Sequence, residues 1–350
     1  MSVVRSTRRA AAVCAGVGAT LLVATPAGAA TVGLGGGETR LTLSKGAAAA
    51  LGDLGVAVAP TGRAGVRSGA IAFPVTGGRI DPATAAGRIT HTGGIRLRAG
   101  ATRVRLSDFT ITVGRTAAIS AKVNGAKRLA AFRLDLSRAR VSRDGLGTVV
   151  GRVGVRLSPN AANALNRAFG VTAFRGGLRL GTARVAAEPS QVAFTGGRTD
   201  LALDAGVASA LTTLGVTPGV TAGATANADG SLGFPITAGR VNAKTLAGTI
   251  DHSGGITLTA GATVVTLSDF RIDTRAARLL GKVNGSALVP LLALDLSAPN
   301  VATAGREVTV GGVKATLTQG AADALNAAFG TTAFGAGLAI GVATVRGQAA

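Results

Sequence analysis

Residues 73–109, "FPVTGGRIDPATAAGRITHTGGIRLRAGATRVRLSDF", align without a gap on residues 234–270, "FPITAGRVNAKTLAGTIDHSGGITLTAGATVVTLSDF". Further along, "KVNG" at 122–125 returns at 282–285 and "LDLS" at 134–137 returns at 294–297. "ALNRAFGVTAF" at 164–174 returns as "ALNAAFGTTAF" at 324–334. The offset is 161 residues and then 160, so one residue is lost between "LSDF" and "KVNG". A correspondence of this length divides the chain into two copies of one unit, residues 31–190 and 191–350. Whatever the fold is, each copy must be able to build it.

The local pattern within a copy is mostly that of strands. "IRLRAGATRVRLSDF" alternates apolar and polar residues around a Gly-containing turn, which reads as a hairpin. Asn124-Gly125 and Asn284-Gly285 are the dipeptides that tight hairpin turns prefer. Each copy also carries two helix signals. "SPNAANALNRAFG" offers Ser158 as N-cap, Pro159 in the first helical position and Gly170 as terminator, and Thr318 and Gly330 repeat the arrangement. "SKGAAAALGDLG" (44–55) and "DAGVASALTTLG" (204–215) have the same form. Phe73, Phe109, Phe169 and Phe174 recur as Phe234, Phe270, Phe329 and Phe334, the behaviour of core aromatics. These signals predict a mainly β protein: two tandem antiparallel β-sandwich-like domains, each with about two short helices.

The first thirty residues differ from the rest. "MSVVRSTRR" is basic, "AAAVCAGVGATLLVATP" is apolar and "AGAA" supplies small residues, the layout of a cleaved signal peptide ending near Ala29 or Ala30. The apolar run falls short of the roughly 20 residues of a membrane span, and no second such run follows. Cleavage would remove Cys14, the single cysteine, so the exported product is expected to have neither disulfides nor thiolate metal sites. The expectation is a secreted or cell-surface protein with no transmembrane segment.

Histidine is the rarest informative residue. His91 stands in "GRITHTGGIRL" and His252 in "GTIDHSGGITL", and these are the two histidines of 350 residues. Duplication explains why they share a phrase, but two uses stay open. A histidine before Gly-Gly can bond backbone groups in a turn, or it can serve as a ligand. The run "FPVTGGRI…AGRITHTGGIRL", with the later Asp-Phe strand, resembles the HtaA-type domain of actinobacterial secreted and cell-surface proteins. That resemblance implies a β-rich fold, tandem copies, and capture of haem or a similar planar ligand. Haem-binding members of that family use an early tyrosine as axial ligand, with a histidine in support. This chain contains no tyrosine, and "LSKGAAAAL" and "LDAGVASAL" occupy the tyrosine's neighbourhood. His91 and His252, which fall where the supporting histidine belongs, are left as the candidate ligand-binding residues.

Charge separates the two copies. Residues 31–190 hold 24 Lys and Arg against 7 Asp and Glu, a net of +17, whereas residues 191–350 hold 10 against 9, a net of +1. Arg96, Arg98, Arg103 and Arg105 alternate with apolar residues in the hairpin, and their counterparts are Thr257, Thr259, Val264 and Thr266. Period-two spacing places these arginines opposite the core, where they form a candidate polyanion-binding patch. Wall polyanions and anionic surfaces suit it; nucleic acid is the weakest candidate, for want of aromatic stacking positions.

Catalytic signals are lacking. Asp108, Asp269, Asp135 and Asp295 read as residues bonded in turns rather than paired catalytic carboxylates, and no nucleophile triad, phosphate loop or metal-ligand cluster stands out. The expected function is therefore binding and not catalysis, with haem as the candidate cargo and no resident metal. The alternative is a structural or adhesive envelope protein whose basic first domain holds anionic wall polymers.

Overall fold

A computed structural model describes residues 31–126 and 128–350. The expected signal peptide, with Cys14, lies outside the described residues. The first copy begins with β1 (Val32–Leu43), α1 (Lys45–Asp53), β2 (Ala57–Thr61), β3 (Gly65–Arg67), β4 (Ala70–Ile80) and β5 (Gly87–His91). It continues with β6 (Gly94–Ala99), β7 (Thr102–Val113), β8 (Ala118–Val123), β9 (Arg128–Asp135) and β10 (Arg140–Asp144). β11 (Gly147–Leu157), α2 (Pro159–Phe169) and β12 (Arg179–Pro189) complete it.

Every strand pairing is antiparallel, and the sheet closes on itself. β7 makes the closure because it is twelve residues long and uses both edges. One edge pairs first with β6 and then with β5, and the other pairs with β8. The ring therefore runs β7-β5-β4-β1-β12-β11-β9-β8 and back to β7, with β6 and β2 extending from its side. The expected mainly β architecture of two tandem antiparallel domains with short helices is what the structure shows, and in each domain the sheet curls into an eight-stranded barrel. Register shifts at Val75/Gly77, Ser107/Thr110, Ile119/Ser120 and Val150/Val153 supply the bends that closure needs.

The second copy repeats the plan in the same strand order. Its strands span Gln191–Ala349, with α3 (Ala205–Thr213) and α4 (Gln319–Phe329) in the places of α1 and α2. Only Ser190 separates the two sheets, and it is tied to both: its N–H donates to the Gly33 carbonyl and its carbonyl accepts from Ala243.

Local chemistry sets the helix limits as the sequence leads one to expect. Ser158 Oγ accepts from the Ala161 N–H at 3.0 Å and Thr318 Oγ1 from Ala321 at 3.3 Å. Gly170 and Gly330 end the helices at φ 66° and 61°, where a glycine costs least. Ser44 and Asp204 cap α1 and α3 in the same manner. Each barrel has its own apolar interior. Phe73 meets Phe109 edge-on at 5.0 Å in the first, and Phe234 meets Phe270 at 5.1 Å in the second. Phe169 and Phe329 sit half-buried at the rims, against Phe174 and Phe334.

Candidate functional site

The histidine phrase ends β5 on the inner side of the barrel. Its two glycines do different work. Gly93 adopts φ 83°, and at Gly94 a Cβ would stand 2.2 Å from the Leu106 carbonyl oxygen, so neither place admits a larger residue. The chain then turns sharply into β6, and His91 points inward, 5% exposed. A bulge in β7 completes the setting. Asp108 takes φ 54°, its carboxylate meets Lys122 Nζ at 3.1 Å, and the displaced Phe109 carbonyl faces the imidazole.

Both ring nitrogens are engaged. Nδ1–H donates to the Phe109 carbonyl at 3.2 Å, which leaves Nε2 to accept from the Thr39 hydroxyl at 2.7 Å. The second copy reproduces this: His252 lies 3.2 Å from the Phe270 carbonyl and 2.7 Å from Thr199 Oγ1. Burial pushes the pKa of each imidazole down to about 4, against the opposing pull of the carbonyl bond, so both rings are neutral at pH 7. Thr39 and Thr199 are the partners that sequence reasoning missed. Each precedes its histidine by more than fifty residues, and no local signal links them.

The surroundings of the two histidines differ. His91 borders a space of about 30 Å³, the volume of one water, closed by Phe73, Phe109 and Phe132. His252 borders a cavity of about 600 Å³ whose lining is overwhelmingly apolar and includes Phe194, Phe270, Leu292, Ala315 and Leu325. That is the size range of small-molecule sites. Two substitutions account for part of the contrast. Phe132, which lies 6.3 Å from Phe109, becomes Leu292, and Val155 becomes Ala315. The space beside the histidine is thus far larger in the second barrel than in the first.

The remaining residues singled out above are placed as follows. Arg96, Arg98, Arg103 and Arg105 are all exposed on the outer face of the β6–β7 hairpin. Asp135 and Asp295 accept from the backbone and hydroxyl of Ser137 and Ser297; the Ser137 bonds, with a smaller contribution from Arg156, hold the pKa of Asp135 at about 2. Asp108 and Asp269 are not turn acceptors; they form ion pairs with Lys122 and Lys282. Asn124 and Asn284 do sit in left-handed turns, and their side chains also accept from Arg105 N and Thr266 N of the neighbouring strand. Among the described residues no three His, Cys, Asp or Glu side chains group as a metal site, and no helix is long and apolar enough to cross a membrane.

Residues 211–333 match the family model described as Htaa, so the second copy carries an HtaA-type domain. Among solved structures, the chain is similar to the C-terminal domain of HtaA from Corynebacterium glutamicum, at 17% identity and a TM-score of 0.35. That likeness covers 45% of this chain and 98% of the other. A domain-swapped dimer of a histidine-to-alanine variant of the same domain matches at 16% identity and a TM-score of 0.31, over 42% and 95% of the two chains. No curated protein matches.

The fit of haem can be judged from the residues. Residues 31–350 contain no Cys, Met or Tyr, so of the usual haem axial-ligand types only His91 and His252 are present. His91 has no room beside it. His252 borders sufficient volume, but its Nε2 must release Thr199 before it can meet a metal.

Proposed function

We propose that this chain is a cell-surface binding protein, not an enzyme, whose second domain takes an apolar, planar cargo such as haem into its barrel. The observation that carries the reading is the cavity of about 600 Å³ beside His252, set against about 30 Å³ in the first copy. The HtaA-type match over residues 211–333 supports haem as the cargo class. Recognition rests mainly on apolar burial, because the wall offers surface rather than free ligand atoms.

Titration with haemin and with metal-free protoporphyrin tests this. Burial-driven capture predicts that the two bind within about threefold of each other, a difference under 1 kcal/mol. Substitution His91→Ala should leave both isotherms unchanged. Saturable binding of haemin with no binding of the metal-free ring would show that iron ligation, not the cavity, selects the cargo. No binding of either would refute the reading.

A further inference from the structure

The outer face of the β6–β7 hairpin presents an arrangement that the cargo reading does not use. Arg96 stands directly opposite Arg105, and Arg98 directly opposite Arg103. All four are exposed, while Ile95, Leu97, Val104 and Leu106 between them point into the core. Like charges directly opposite across two strands destabilise a sheet, so this ladder works against its own hairpin. Nothing nearby relieves it. Among the described residues none of the four joins an ion pair, and the one side-chain bond they make is from Arg98 Nε to the Gly100 carbonyl. The neighbouring strand β2 places Ala57 and Ala59 opposite Arg98 and Arg96, and these short side chains leave the guanidinium groups uncovered on that side.

The second copy shows that the barrel does not need the ladder. Thr257 faces Thr266 and Thr259 faces Val264 in the same register. The fold is therefore indifferent to these four charges, and an anion is the chemistry that turns their mutual repulsion into attraction. The geometry adds a spacing. Residues two apart on a strand are about 7 Å apart and opposite residues about 5 Å, so the ladder is a small grid of planar, two-pronged donors. Arginine in that arrangement fits phosphate oxygens pairwise. Aromatic platforms for bases are missing: every phenylalanine is buried or half-buried, and the chain has no Tyr or Trp.

We infer that the Arg96/Arg98/Arg103/Arg105 ladder of the first domain docks a linear phosphate-bearing polymer, laid along the hairpin and recognised by its charge repeat. This surface lies outside the barrel and does not depend on the cavity. Residues 31–350 should bind immobilised inorganic polyphosphate at low salt. The variant R96T/R98T/R103V/R105T, which copies the second domain, should bind at least about tenfold more weakly, with a salt slope reduced by about 3, since each lost phosphate contact removes about 0.7–0.9. A control variant with Arg138, Arg143, Arg167 and Arg175 changed to Thr has the same net charge and should retain most of the binding. The reciprocal variant, T257R/T259R/V264R/T266R, should gain affinity; this guards against a folding defect in the first. Equal losses in the ladder and control variants would reduce the effect to net charge and overturn the inference. So would binding to vesicles of anionic lipid without binding to polyphosphate, or a preference for a single-stranded oligonucleotide at matched charge.

Discussion

His91 and His252 are each held by one carbonyl and one hydroxyl inside an apolar wall, so protonating either ring works against the fold. Their folded pKa lies below the unfolded value, so the stability they confer is full above pH 6.5 and is lost as the pH falls toward 4. At about 1.4 kcal/mol per unit of separation, each histidine should cost roughly 3 kcal/mol of stability by pH 4. Asp135 acts in a lower window, between 3.8 and about 2, so the two effects separate. Denaturant titrations at pH 7 and 4.5 should show this fall in the parent chain and a flatter profile in a His91→Gln, His252→Gln variant. A parent whose stability does not change between those pH values would contradict the assigned neutral, doubly bonded rings.

At the scale of elements, the parts that were legible in the sequence are those fixed by neighbouring residues. Ser158, Pro159 and Gly170 delimit α2 because a cap acts within three or four residues. The β6–β7 hairpin is legible for the same reason, and its arginines face outward as the two-residue period requires. Closure of the barrel was not legible. It depends on β7 pairing with β8 while β1 pairs with β12, whose Thr39 and Val185 are separated by most of the domain. The partners of the histidines were hidden likewise, since Thr39 reaches His91 only through the order of strands. One consequence at this scale is local: Ser158→Ala removes the Ala161 bond and the hydroxyl bond to the Ala130 carbonyl at 2.5 Å. It should cost about 1–2 kcal/mol in denaturant unfolding, with the fold unchanged. A loss below about 0.3 kcal/mol would mean that Pro159 alone starts the helix.

For the whole molecule, the two copies of one scaffold differ in charge and in internal space. The first domain is tightly filled and carries a net of +17; the second is hollow and nearly neutral. The charge difference was open to counting, but the cavity was not, because its volume is the sum of side chains from every strand of the ring. Phe132 and Leu292 occupy matched positions, yet only the closed barrel shows that one fills the space beside the histidine and the other leaves it open. Stoichiometry is the most direct measure of that claim. Native mass spectrometry of the chain with excess protoporphyrin should show one molecule bound per chain, and a reduced bound fraction in a Leu292→Phe, Ala315→Val variant that narrows the cavity with two residues of the first copy. Two molecules per chain, or a bound fraction unchanged in the narrowed variant, would contradict a cargo held in the second barrel.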